Sequence, residues 1–213
     1  GKDVRETDIL IRGEFKDESI QIASIGPAGE NLVSFAAIMF NIYNAAARAG
    51  TGTVMGSKLL KAVVVKGSKP LTVADTDKFN ELAVSLRHRL SEDTGSKRLS
   101  SFGTGGIINM VNTIHALPSY NYQESYIENA HLISGEHLIE GGFLKRRSGC
   151  GACGTGCHRY SEVDGGAYKG SYGGGPEFET LSALGSGCGV LDMAAVLKGN
   201  ELCNIYGMDT ISA

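Results

Sequence analysis

Three of the chain's five cysteines fall in one short run, Gly149-Cys-Gly-Ala-Cys-Gly-Thr-Gly-Cys-His-Arg159, where Cys150, Cys153 and Cys157 are spaced C-x2-C-x3-C. Side chains at i, i+3 and i+7 can point the same way from a helical turn or a tight loop. The spacing therefore suits three thiolates holding three corners of one iron–sulfur cluster. Gly149, Gly151, Gly154 and Gly156 let the backbone come close and turn its N–H groups toward sulfur. Lys145, Arg146, Arg147, His158 and Arg159 flank the run. A cluster on four thiolates is anionic, so nearby cations stabilise it and ease its reduction.

Two other uses of the cysteines weigh less. A zinc site wants a second C-x2-C or a His pair, and only His158 lies close by. Disulfide pairing fits poorly with an odd number of cysteines, five, and no secretory context. Three local ligands still need a fourth, which Cys188, Cys203 or a cysteine beyond residue 213 could supply.

With 213 residues, 42% of them hydrophobic, the chain can bury a core as one or two domains. A net charge of −3 gives no footprint for nucleic acid or an anionic membrane. No run approaches the roughly 18 apolar residues of a membrane span, and the start does not read as a signal peptide. The expected address is the cytoplasm, where thiols stay reduced and free to bind metal. The sequence has no initiator Met and stops at Ile211-Ser-Ala213 without a terminating element, so a piece of a longer protein is expected.

Several elements are needed to position the cysteine run. Apolar Ile9-Leu10-Ile11 and Ile20-Gln21-Ile22-Ala23, parted by Lys16-Asp17-Glu18, predict a β-hairpin over residues 8–25. A helix is predicted from Pro27 to Gly50, with Leu32, Phe35, Ala36, Met39, Tyr43 and Ala46 on one face. Ala62-Val63-Val64-Val65 predicts a strand. Gly50-Thr-Gly-Thr-Val-Met-Gly-Ser-Lys58 is not a P-loop, because only three residues separate Gly52 from Gly56 and Ser precedes Lys. A glycine-rich turn there can still hold phosphate through backbone N–H groups, with Arg48 and Lys58 adding charge. After a linker near Pro70, helices are predicted from Thr76 (Phe79, Leu82, Ala83, Leu86, Leu90) and after Gly106 (Ile108, Val111, Ile114). Loops or a small hairpin follow the cysteines, then a helix from Asp192 as N-cap to Tyr206, with Gly207 at C′. Beyond residue 75 the pattern is mostly helical.

Taken in order, several runs together resemble the tungsten-containing aldehyde ferredoxin oxidoreductase family. They are Ile25-Gly-Pro-Ala-Gly-Glu-Asn31, Ala47-Arg-Ala-Gly-Thr-Gly-Thr-Val-Met-Gly-Ser-Lys58, Phe102-Gly-Thr-Gly-Gly106, the cysteine run, Gly175-Pro-Glu-Phe-Glu-Thr180 and Asn200-Glu-Leu-Cys-Asn-Ile-Tyr-Gly-Met-Asp-Thr-Ile-Ser212. The resemblance implies an α+β chain. Residues 1–70 would end a β-rich base domain that binds a tungsten bis-pterin, and residues 71–213 would begin a mainly helical domain carrying the iron–sulfur loop. It also implies that the fourth cluster cysteine lies beyond residue 213, leaving Cys203 as a small buried hydrophobe.

By motif, Arg48, Ala49 and Thr51 resemble the turn that meets the pterin phosphates and their bridging magnesium. Asn204-Ile-Tyr-Gly-Met-Asp209 resembles the family's pterin-recognition run D-x-x-G-L-D. There Asp209 keeps the acceptor, Asn204 departs from Asp but retains an amide oxygen, and Met208 is an apolar swap for Leu. Glu177 and Glu179 resemble a segment that faces the metal, with Glu179 favoured as the group that moves a proton. Where some members bind an iron between subunits through a Glu, this chain has Lys198, so that site is not expected. The implied activity is oxidation of an aldehyde to a carboxylic acid, with electrons passed singly through a [4Fe-4S] cluster to ferredoxin or a similar carrier. A homo-oligomer is among the assemblies left open. The alternatives are a tungsten subunit reducing an aromatic-ring thioester, a plain [4Fe-4S] electron-transfer module, and a structural zinc domain.

Overall fold

The computed structural model describes every residue except Ala152, which lies inside the cysteine run. The chain opens with a helix, α1 (Val4–Phe15), where a hairpin strand is predicted. The reason is local: Asp3 accepts from the Glu6 N–H while Glu6 reaches back to the Asp3 N–H, a capping box that satisfies the exposed donors of the first turn. Arg12 and Asp8, one turn apart, add an ion pair at 2.8 Å. Only the second half of the predicted hairpin is extended, as β1 (Gln21–Ile25).

The helix predicted from Pro27 to Gly50 is also replaced. One turn forms, α2 (Pro27–Glu30), and then a short hairpin, β2 (Ile38–Phe40) and β3 (Asn44–Ala46). Leu32, Asn41 and Ile42 take positive φ, which no helix tolerates. Asn41 holds the hairpin turn: its Oδ1 accepts from the Ile22 N–H at 2.9 Å and its Nδ2 donates to Gln21 Oε1 at 2.6 Å. The apolar spacing that read as helical is shared between two strands and a loop. After α3 (Thr51–Ser57) comes the expected strand, β4 (Ala62–Val65), completing an antiparallel sheet in the order β3-β2-β1-β4.

Backbones pack directly against one another beside this sheet. A side chain at Gly56 would overlap the Gly29 carbonyl, and one at Gly26 the Tyr206 carbonyl. These glycines let α3 and α2 touch and let the C-terminal segment reach the sheet. That segment is stitched on by hydrogen bonds, Ala37 N–H to Gly207 O at 2.8 Å and Asp209 N–H to Phe35 O at 3.1 Å.

The later part contains the predicted helices α4 (Thr76–Glu92), followed by α5 (Thr94–Phe102), and α6 (Ile108–Thr113), with a short α7 (Gly135–Glu140). Helix α4 buries none of its residues, and its predicted apolar face stays exposed, with Phe79 at 55% and Leu82 at 57%. The section is less helical than expected. A second antiparallel sheet, β5 (Leu144–Ser148), β6 (His158–Glu162) and β7 (Tyr172–Gly174), frames the cysteines, so the run is the connection of the β5–β6 hairpin. Helix α8 (Phe178–Thr180) continues as a π-helical turn to Gly185. Helix α9 (Met193–Tyr206) starts and stops as predicted: Asp192 accepts from the N–H groups of Ala194 and Ala195, and Gly207 ends it at φ 72°. The main core joins Ile108, Leu117, Ile133, Leu138, Leu181 and Met193 beneath these helices. The architecture is α+β. Among the described residues no single helix is long and apolar enough to cross a membrane.

Candidate active site

A cleft of about 470 Å³ opens where the two sheets and α9 meet. Segments far apart in sequence line it: Arg48 after β3, Cys150 and Cys157 in the hairpin connection, Glu177 and Glu179 before and in α8, Asn204 on α9, and Met208 and Asp209 just after it. Ala49 and Thr51 sit beside Arg48 without lining the cleft, and Cys153 stands exposed on the connection. Neither Cys188 nor Cys203 reaches the cleft.

The wall from α9 is built by hydrogen bonds. Asp209 is 1% exposed. Its Oδ1 accepts from the Ile211 N–H at 3.2 Å and its Oδ2 from the Ser212 hydroxyl at 2.5 Å, and among the described residues no ion pair involves it. That burial rules out a merely solvated cap residue. Asn204 lines the cleft and donates through Nδ2 to Gly174 O at 3.4 Å, and among the described residues its amide oxygen accepts no hydrogen bond. Asn200, one turn earlier on α9, donates to the same carbonyl at 2.8 Å. Sequence reasoning quoted Asn200 but gave it no role, although its i, i+4 spacing from Asn204 put both on one helix face.

Glu177 is fixed and Glu179 is not. Thr104, from the turn after α5, donates to Glu177 Oε2 at 2.5 Å and accepts from the Phe178 N–H at 2.8 Å. His158 Nδ1 lies 3.9 Å from Glu177 Oε1. Burial pulls the His158 imidazolium below its ordinary pKa against the pull of Glu177, favouring the neutral ring. Glu179 is exposed on the rim. Thr104 and His158 were not singled out as partners of the acids, since only packing brings them there. The Arg48-Ala49-Gly50 turn takes positive φ at both Ala49 and Gly50, and the Thr51 hydroxyl donates to Ala46 O at 2.5 Å to hold it.

On the hairpin connection, hydrogen-bond donors face the Cys153 sulfur. The N–H and hydroxyl of Thr155 and the N–H of Gly156 point at its sulfur and hold its pKa below the ordinary thiol value. Cys157 is shifted the other way, first by burial and then by Glu177. Among the described residues no three His, Cys, Asp or Glu side chains gather closely enough to share one metal ion, Cys150, Cys153 and Cys157 included. Cys203 is buried on α9, and desolvation and Asp209 push its thiol up to about 11, the behaviour of a packed, unreactive cysteine.

Residues 1–67 match the model for the aldehyde ferredoxin oxidoreductase N-terminal domain, and residues 81–213 match that for domains 2 and 3. The chain belongs to the aldehyde ferredoxin oxidoreductase family. Its curated relatives include tungsten-containing aldehyde ferredoxin oxidoreductases of Pyrococcus abyssi, 42% identical over 100% of this chain, and Thermococcus kodakarensis, 41% identical over 100%. The chain spans 34% of the length of each. An aliphatic sulfonate oxidoreductase, WOR-like subunit, of Pyrococcus furiosus is 34% identical over 88% of this chain and 30% of its own length. Among solved structures, the active site complex BamBC of benzoyl coenzyme A reductase superposes with a TM-score of 0.71 over 99% of this chain and 33% of that one. At 24% identity that likeness shows the shared fold. Within the family frame, Lys198 is occupied by an internal bond, its Nζ lying 2.8 Å from Glu201 Oε2.

Proposed function

We propose that this chain is the part of an aldehyde-oxidising enzyme that carries one wall of a tungsten bis-pterin site and three ligands of a [4Fe-4S] cluster. The observation that carries the reading is convergence: four separate segments, each quoted from sequence for a cofactor or catalytic role, line one cleft. The residues fit the groups. Buried Asp209 and the amide oxygen of Asn204 are acceptors for the amine and ring N–H of a pterin edge, with Met208 beside them as apolar wall. Arg48, with the backbone of Ala49 and Thr51, would take the phosphates and their magnesium. Cys150, Cys153 and Cys157 would hold the cluster, and the N–H groups at Cys153 suit an anionic sulfur.

When bound, the metal–pterin centre accepts the two electrons released as an aldehyde and water become a carboxylic acid. The chain's own residues bind, orient and move protons. Thr104 keeps Glu177 aimed into the cleft, and neutral His158 next to it can accept a proton. Glu179, on the rim, is the group proposed to carry the aldehyde proton out. A cluster held by Cys150, Cys153 and Cys157 would supply single-electron transfer toward ferredoxin or a similar carrier.

Elemental mass spectrometry on the complete enzyme, purified without oxygen, tests the reading. About one tungsten and about four irons per chain are expected. Iron alone would leave an electron-transfer module, and zinc alone would mean the cysteines serve structure. Glu179→Gln should lower aldehyde turnover with metal content unchanged. The shared fold with the BamBC complex keeps reduction of an aryl thioester as the second reading. Turnover of an aryl thioester without aldehyde turnover would select it.

A further inference from the structure

Of the five basic residues that flank the cysteine run, only Arg159 is withdrawn from water. It is 1% exposed, whereas Lys145, Arg146 and Arg147 are exposed and His158 is half-buried. Its Nη2 donates to Leu99 O and Ser100 O, each at 2.7 Å, and to Gly156 O at 3.5 Å. The first two are carbonyls of the last turn of α5, where the helix dipole favours a cation. The third belongs to the cluster connection, next to Cys157. Among the described residues, Nε and Nη1 are buried without a hydrogen-bond partner, and no carboxylate lies within ion-pair distance of the group, Glu177 acting on it only from farther away. A buried guanidinium with two unused donors and no counter-ion is costly unless an anion completes it. The chain also makes room for it: a side chain at Gly103, where φ is 65°, would come within 2.7 Å of Arg159 Nε.

We infer that Arg159 is a positioning residue for the cluster, a buried positive charge that ties Gly156 to the end of α5 and raises the cluster's reduction potential from behind Cys157. The inference rests on the cluster assignment above. A charge held in the interior is poorly screened, so Arg159 outweighs the exposed cations around it.

The test is an EPR-monitored redox titration of the complete enzyme, with iron content measured on the same samples. Arg159→Gln keeps donors and removes charge. At the wild-type midpoint its reduced-to-oxidised ratio should fall about tenfold, a downward shift of about 59 mV for one electron. Arg147→Gln, removing an exposed charge, should change the ratio by less than about threefold at moderate salt. An iron-loaded Arg159→Gln enzyme with an unmoved midpoint overturns the inference, whereas wild-type enzyme without iron overturns the cluster assignment instead. If Arg159→Gln does not fold, the wild-type midpoint decides between roughly 0.01 and 1 M salt, where the screening length falls from about 30 to about 3 Å. A nearly constant midpoint is expected. A fall of about tenfold in the ratio would assign the potential to the exposed cations and overturn the inference.

Discussion

The two sides of the cleft are built by opposite means. On the α9 side, backbone lies on backbone: Gly26 and Gly56 are pressed against neighbouring carbonyls, residues 35–37 pair with 207–209, and Asp209 is buried by that pairing. On the cysteine side, an exposed connection rises from a hairpin and is tied to the end of α5 by the side chains of Arg159 and Arg147. One wall is rigid before any cofactor arrives. The other carries its three cysteines on that connection, with Cys150 and Cys153 exposed.

The contrast can be broken at its strongest point first. Cys153→Ala in the complete enzyme should abolish the cluster absorbance and most of the iron; a visible spectrum that survives would undo the ligand assignment. Next, Gly56→Ala forces a methyl into the Gly29 carbonyl and should cost roughly 3 kcal/mol or more, read by urea unfolding. Asp209→Asn keeps the shape and removes the charge. It should weaken pterin retention by about 1.5–3 kcal/mol, measured as tungsten and pterin content, with unfolding little changed.

Smaller effects sharpen the comparison. Glu201, with a side chain 6% exposed, links Arg5 of α1 to Lys198 of α9. Burial pushes its pKa up, but Lys198 and Arg5 prevail and leave it below the ordinary carboxylate value. The stabilisation is therefore full above the unfolded pKa, near about 4.3, and is lost as pH falls through the lower folded value. Glu201→Gln should flatten that acid limb and cost about 1–3 kcal/mol at neutral pH, measured by urea unfolding across pH. The smallest change is expected at Gly154→Ala in the cysteine connection. Nothing lies within 4 Å of the added carbon, so unfolding should move by less than about 0.5 kcal/mol. A cost there like that at Gly56 would show that the connection is as tightly packed as the other wall.

Legibility from sequence followed locality. Helix α9 was readable to the residue because its Asp192 cap and its Gly207 stop lie at its own ends. Helix α1 was lost to the β-branched look of Ile9-Leu10-Ile11, although Asp3 and Glu6 carried the capping signal. Strands β5 and β6 were missed because Lys145, Arg146 and Arg147 mask any alternation, and their partners are set across the cysteine run. At the site, residues inside a motif run could be named beforehand. Thr104 and His158 could not, because they meet Glu177 only through the packing of α5, β6 and α8.

The stitch between Phe35 and Asp209 also constrains the order of assembly. The buried acceptor is in place only once opposite ends of this chain have met, a contact of high sequence separation that forms late and slowly. A ribosome that has made only the first half of these residues therefore presents an unfinished groove. Whatever this groove binds would meet a complete acceptor wall only after both segments have been made and joined.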